Sequence, residues 1–302
     1  MAEFNILLIG CGNIGALYDF QNDEILTHAK ALNHHNLKSV FIYDTNSDLL
    51  QKVSQKYSFK IINNIDDISF DLFKIVIISS PTFTHYDLLL KCFYDQVPII
   101  ICEKPIELDK EKLIKIIESS KTSKSVVYIN YIRRFQPEFI KLKKFIKENI
   151  EKKSLKNISI NYKRGYFNNC SHALDLIQFL LDDEINLENI HLINSINDTF
   201  NDDPTIQMCG TWNDAGIYLN GISNIELNIF EIHFYFNEWV IHIEKSGNLI
   251  NITGNSGVEM RIDGAIKDYM KNVYSEILNG QSQSNFKTSA NLILKMINWI
   301  DK

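Results

Sequence analysis

Three short stretches hold the residue types and spacings best suited to chemistry. "ILLIGCGNIG", residues 6–15, sets Gly10, Gly12 and Gly15 in the G-x-G-x-x-G spacing directly after an apolar run. In such a loop the first glycine permits a tight turn, the second lets backbone approach a pyrophosphate, and the third allows close helix packing, with the phosphate at the start of the following helix. Cys11, Asn13 and Ile14 complete the loop and are expected to line the same ligand. "CEKP", residues 102–105, carries Glu103 and Lys104 at the end of another apolar run. A lysine there points into the crevice where open α/β sheets bind ligands, and can donate to a substrate oxygen; desolvation would bring its pKa toward a working range. "GYFNNCSHALDL", residues 165–176, puts His172 four residues after Asn168 and three before Asp175 on an apolar-periodic helix. Taken singly, a lysine at a strand end is more often a solvated charge, and a histidine in a helix more often a packed one.

The glycine loop predicts a bound dinucleotide, whose adenosine ribose needs an acidic partner at the end of the next strand. Asp44, after "SVFIY", stands in that place, farther from the glycines than the usual roughly 20 residues. The polar, poorly periodic "ALYDFQNDEIL" at 16–26 accounts for the excess as a loop interrupting the first helix. This loop is either a neighbour of the ligand, with Tyr18 and Asp19 as contacts, or a plain surface insertion. Asp44 would repel a 2'-phosphate, so the pattern favours NAD over NADP.

The elements that must position these groups follow from hydrophobic period. Continuous apolar runs at 4–10, 39–44, 74–80, 98–103 and 125–132 suit strands buried on both faces, and helical segments at about 27–35, 46–57, 83–95 and 109–120 separate them. This alternation predicts an N-terminal Rossmann-type, doubly wound parallel sheet over residues 1–124. Residues 125–302 change rhythm. A helix near 136–150 and the His172 helix are followed, from about 188 to 263, by strand-like segments with period-two alternation such as "IELNIFEIHFYF". They predict an α+β domain with a large, mostly antiparallel open sheet covered on one face, closed by helices near 265–279 and 288–301.

Composition narrows the function classes. The 302 residues are 45% hydrophobic and 23% charged, with a formal net charge of -6, which supplies no basic footprint for nucleic acid or an anionic membrane. No apolar run approaches the roughly 18 residues of a membrane span, and no leader-like start is visible, so a cytoplasmic protein is expected. The five cysteines are scattered without CxxC or Cys/His spacing, and His34 and His35 point apart at a helix end, so no metal is expected.

Together, "GCGNIG", Asp44, "SSPTFTHYDLLLKCF" at 79–93, "EKP" at 103–105, "NYIRRFQP" at 130–137 and the His172 helix resemble, in that order, the glucose-fructose oxidoreductase and inositol dehydrogenase (Gfo/Idh/MocA) family. The resemblance implies an NAD(P)-dependent oxidoreductase acting on a hydroxyl or keto carbon of a sugar or nucleotide-sugar, commonly a homodimer or homotetramer. It further implies that Lys104 works beside the nicotinamide, that Ser80, Pro81 and His85 line the cofactor cleft with Glu103, and that His172 is the active-site histidine. Arg133 and Arg134 match a pair expected to be mainly structural. Asp175, Arg164 and Tyr166 are expected near substrate. The departure is Asn168, where many members carry an aspartate: an amide can orient a hydroxyl but cannot take its proton. Two alternatives therefore stand beside the dehydrogenase: tightly held NAD used in an internal redox cycle during elimination or glycoside cleavage, and a non-catalytic dinucleotide-binding protein.

Overall fold

The apolar runs become short strands because branched side chains fit a pleated surface buried on both sides. In the computed structural model, which describes residues 4–200 and 202–300, these strands alternate with helices as expected. The order is β1 (Ile6–Ile9), α1 (His28–His34), β2 (Val40–Tyr43), α2 (Ser47–Tyr57), β3 (Lys60–Ile61), β4 (Ile75–Ile78), α3 (His85–Tyr94), β5 (Ile99–Cys102), α4 (Lys110–Ser120) and β6 (Val126–Ile129). The strands form one parallel sheet in the order β3-β2-β1-β4-β5-β6. Every residue of β1 and β4 is buried. Each such Ile or Leu contributes about 1.5–3 kcal/mol on removal from water. The order of strand addition reverses between the parallel neighbours β1 and β4, with β2 and β3 laid outward on one side and β5 and β6 on the other, so the loops leaving β1 and β4 diverge and open a crevice at the switch point.

The helices start where short polar side chains can accept backbone donors. Thr27 accepts from the Lys30 N–H, Asn46 from Leu49 and Asp109 from Lys112, each cap being worth about 1 kcal/mol. The chain forms two compact units, residues 1–132 with 268–291, and residues 133–267 with 292–302. The division expected at residue 125 falls before β6, which pairs parallel with β5 and so completes the first sheet. Residues 268–291, expected with the C-terminal domain, return to the first unit through α7 (Tyr269–Leu278) and the start of α8 (Phe286–Ile300). The Asn285 amide locks this return by bonding both the N–H and the carbonyl of Ile129 at 2.8 and 2.9 Å.

The second unit contains α5 (Pro137–Asn149), β7 (Leu155–Tyr162), α6 (Ser171–Leu181), β8 (Glu188–Ile196), β9 (Thr205–Trp212), β10 (Ala215–Gly221), β11 (Phe230–Phe236), β12 (Val240–Glu244), β13 (Leu249–Gly254) and β14 (Gly257–Asp263). Its strands form an eight-stranded sheet, β14-β13-β12-β11-β7-β10-β9-β8, antiparallel except where β10 runs parallel to β7. Period two assigns the faces. Ile158, Ile160 and Tyr162 of β7 and Phe230, Ile232, Phe234 and Phe236 of β11 are buried, while the alternate positions carry Ser159, Asn161, Glu231, His233 and Tyr235. Among the described residues no helix is long and apolar enough to cross a membrane.

Candidate active site

In the first unit, the glycine loop leaves β1 through Gly10, whose φ of +93° is open to glycine and strained for other residues. A Cβ there would lie 2.5 Å from the Ser80 nitrogen, so β1 and β4 approach through bare backbone. A Cβ on Gly15 would lie 2.2 Å from the Gly10 carbonyl oxygen. Gly12 differs: nothing lies within 4 Å of its would-be Cβ, and the space beside it is open. Open room at the middle glycine, with crowding at the other two, fits a loop shaped to receive a pyrophosphate. As expected of a first helix interrupted at 16–26, the loop leads into a single π-type turn, Asn13–Leu17, and the helix resumes at α1.

Asp44 stands where the sequence placed it, at the end of β2. Its carboxylate accepts from the Cys11 N–H at 2.7 Å and the Asn46 N–H at 2.9 Å, tying the second strand to the glycine loop. Cys11 itself turns inward, and burial, reinforced by the Asp44 charge, pushes its thiol up to about 12. Its backbone, rather than its sulfur, belongs to the loop. The 16–26 segment is held from within: buried Asp19 accepts from the N–H groups of Leu26 and Thr27 and from the Thr27 hydroxyl, at 2.6, 2.8 and 2.7 Å. Asp19 is therefore the loop's own staple and not an exposed contact, whereas Tyr18 is 58% exposed.

Below β5 and β6 lies a polar chain that the sequence did not disclose. Buried His28 places Nδ1 2.8 Å from the Tyr274 hydroxyl and Nε2 3.0 Å from Glu103 Oε1, and the Asn130 amide donates to the same Glu103 oxygen at 2.5 Å. Burial alone would raise the Glu103 carboxyl. The hydrogen bond and charge of His28, with Asn130 and Lys104, outweigh it and hold the group below the ordinary carboxylate range. Glu103, expected at the cofactor, is thus the buried anchor of the turn that carries half-buried Lys104. The Lys104–Pro105 peptide is cis. The participation of His28 and Tyr274 had no signal in spacing, since 246 residues separate them.

Ser80 and Pro81 open the loop after β4, with the Ser80 hydroxyl 2.6 Å from that of Thr84. His85 was expected to line the cleft. It is instead enclosed, with Nδ1 3.0 Å from the Pro105 carbonyl and Nε2 2.9 Å from that of Ser80. Desolvation lowers its pKa, only partly offset by those carbonyls and the Glu103 charge. Its role is to bind the loop after β4 to the turn after β5.

In the second unit, His172 occupies the second position of α6 and is half-buried. A π-type turn, Tyr166–Cys170, leads into the helix. Buried Asp203 secures it by accepting from the Phe167 and Asn168 N–H groups at 2.7 and 2.8 Å. Gly165, at φ +86°, leaves room for that carboxylate, which would lie 2.1 Å from a Cβ. Asn168 remains half-buried on this turn, four residues before His172. Asp175, expected near substrate, is 1% exposed and receives the Arg134 Nε–H at 2.5 Å. Tyr166, also expected near substrate, is fully enclosed, its hydroxyl directed at the Met296 carbonyl 3.5 Å away. Both serve the helix's foundation. Arg164 is exposed at φ +62°. Arg133 donates to the Ser246 carbonyl at 2.8 Å and lies 3.8 Å over the Phe230 ring, a structural post within the second unit.

Residues 4–131 match GFO_IDH_MocA, an oxidoreductase family with an NAD-binding Rossmann fold. The inositol 2-dehydrogenase of Rhizobium meliloti (strain 1021) is 30% identical over 142 residues, 46% of this chain and 39% of that protein. The chain thus matches about two fifths of the length of that curated relative. Among solved structures, UDP-N-acetylglucosamine 3-dehydrogenase GnnA from Acidithiobacillus ferrooxidans superposes with a TM-score of 0.78 at 16% identity, covering 99% of this chain and 97% of the other. A levoglucosan dehydrogenase in complex with NADH and levoglucosan gives 0.77 at 15% identity, covering 99% and 96%. At these identities the likeness is one of fold.

Proposed function

We propose, from the match of residues 4–131 to the Gfo/Idh/MocA oxidoreductase family, that the chain is an NAD-dependent oxidoreductase of a sugar or nucleotide-sugar, acting at a hydroxyl or keto carbon. The observation that carries this reading is the loop from Gly10 to Gly15, open at Gly12 and tied through the Cys11 N–H to Asp44. Those residues would hold the dinucleotide, and the nicotinamide, when bound, would supply the hydride acceptor or donor. Asp44 would take the ribose hydroxyls and disfavour a 2'-phosphate by charge.

Lys104 and His172 are the chain's groups for the hydroxyl proton. Lys104 is carried on a turn whose preceding residue is fixed by buried His28 and Asn130, and a cation there steadies an oxygen that gains negative charge as its proton leaves. His172 accepts or returns that proton. Asn168 orients the hydroxyl without titrating. The inositol dehydrogenase relative, and the two dehydrogenases named for a nucleotide-sugar and an anhydrosugar, support a polyhydroxylated substrate. The net charge of -6 supports a small molecule rather than nucleic acid as partner, and the reading extends to a cytoplasmic homodimer or homotetramer.

The test is a titration with NADH and, in parallel, NADPH, followed by energy transfer from tryptophan to the reduced nicotinamide. Preference for NADH, lost in Asp44→Ala, is the expected result. Failure of both nucleotides to bind, in protein shown to carry none already, overturns the proposal.

A further inference from the structure

The sheet of the second unit places two histidines and a carboxylate together far along the chain from Lys104 and His172. β11 and β12 pair antiparallel with His233 directly opposite His242, and the register continues through Ile232 opposite Ile243. Residues two apart share a face. Glu231 and His233 on one strand, with His242 and Glu244 on the other, therefore lie on the face opposite the one carrying buried Ile232, Phe234, Ile241 and Ile243.

The two imidazole rings lie 4.2 Å apart, centroid to centroid, at 40°. The Nε2 atoms of both rings are shielded from solvent and have no hydrogen-bond partner within the chain. Leaving two buried ring nitrogens unsatisfied costs about 1–3 kcal/mol each. One donor atom from each of His233, His242 and Glu244 lies within 4.8 Å of the others. Asn251, opposite His242 on β13, donates to Glu244 Oε2 at 3.3 Å and orients the carboxylate, as an outer-shell partner does at a metal centre.

We propose that His233, His242 and Glu244 form a binding site for a divalent transition-metal cation, with Zn2+ as the best match. Two imidazoles and one carboxylate are the donor types of an open tetrahedral zinc site, and imidazole discriminates against Mg2+ and Ca2+. Bonds of about 2.0–2.1 Å to nitrogen place tetrahedral ligand atoms about 3.4 Å apart, within reach of small side-chain rotations from the present spacing. A fourth position faces away from the core. Bound there, the cation satisfies both Nε2 atoms and clamps β11 to β12. The sequence carries a mirrored signal, "EIH" at 231–233 and "HIE" at 242–244, which only a hairpin register turns into proximity.

The full-length protein, stripped with a chelator and desalted, is titrated with Zn2+ alone against a colorimetric competitor. One equivalent bound below about 10 µM is expected, with at least a tenfold weakening in Glu244→Gln and loss of that equivalent in the His233→Ala, His242→Ala double variant. Co2+ in place of Zn2+ should give visible bands without an intense thiolate band in the near ultraviolet. Saturable binding absent up to about 100 µM overturns the proposal. So does an equivalent that survives in the double variant, or a thiolate band, which assigns the cation to a cysteine. If the double variant does not fold, as judged by circular dichroism, Glu244→Gln decides alone: undiminished affinity overturns the proposal.

Discussion

At the scale of single residues, burial separates the groups that can meet a ligand from those that hold them. Lys104 and His172 are half-buried, whereas Glu103, His85, Asp175 and Tyr166 are enclosed. Lys104→Met should therefore lower kcat by about 10²- to 10⁴-fold while NADH affinity stays within about threefold, as read by steady-state kinetics beside the fluorescence titration. Gly10→Ala should act differently. A positive φ costs a non-glycine residue about 1–2 kcal/mol, and the added carbon meets the Ser80 backbone 2.5 Å away. NADH binding should be lost in whatever fraction folds, and a variant that binds normally would remove the close approach of β1 and β4 from the account.

At the scale of elements, each carrier of a candidate group is anchored by a partner remote in sequence. The His172 helix rests on Asp175 paired with Arg134, and on Asp203 beneath the turn before it. Removing one partner from a buried pair costs about 3–5 kcal/mol, because the other charge is left without compensation. Asp175→Asn should accordingly reduce unfolding free energy by about 3 kcal/mol or more in a urea titration with unchanged slope. A loss within about 0.5 kcal/mol would show that Arg134 finds another anion or water. Helix positions were legible from period. Thr27, Asn46 and Asp109 each precede an apolar-periodic run, and each caps the helix that follows. The two π-type turns were not legible, because period marks where a helix runs and not how many residues its entry turn takes up.

At the scale of the whole molecule, buried titratable groups set the response to acid. Burial lowers the pKa of His85, so between its folded value and about 6.5 the unfolded chain binds the extra proton. Stability then falls as pH drops below about 6.5. Glu103 is also held low, so its contribution is complete above about 4.3 and disappears as pH falls through its folded value. The two shifts have the same sign, and His35 and His242, also lowered chiefly by burial, add to the first. The urea midpoint should be flat from pH 8 to 7, decline below about 6.5 and decline again below about 4.3. His85→Gln should reduce the first decline without abolishing it. A midpoint that rises on acidification would contradict both assignments.

The sequence by itself determined the parallel sheet, the glycine loop, the place of Asp44 and the carriers of Lys104 and His172. These depend on local matters: hydrophobic period, the conformational freedom of glycine, caps, and motifs contiguous in the chain. Tertiary structure alone decided which polar groups serve as supports. Glu103 meets His28, Asn130 and Tyr274 through a chain drawn from four distant segments, and His85 closes on carbonyls of two separate loops. His233 faces His242 only through strand register. A side chain's type announces what chemistry it can perform, but its partners follow from packing between residues far apart in sequence, and no local pattern records that packing.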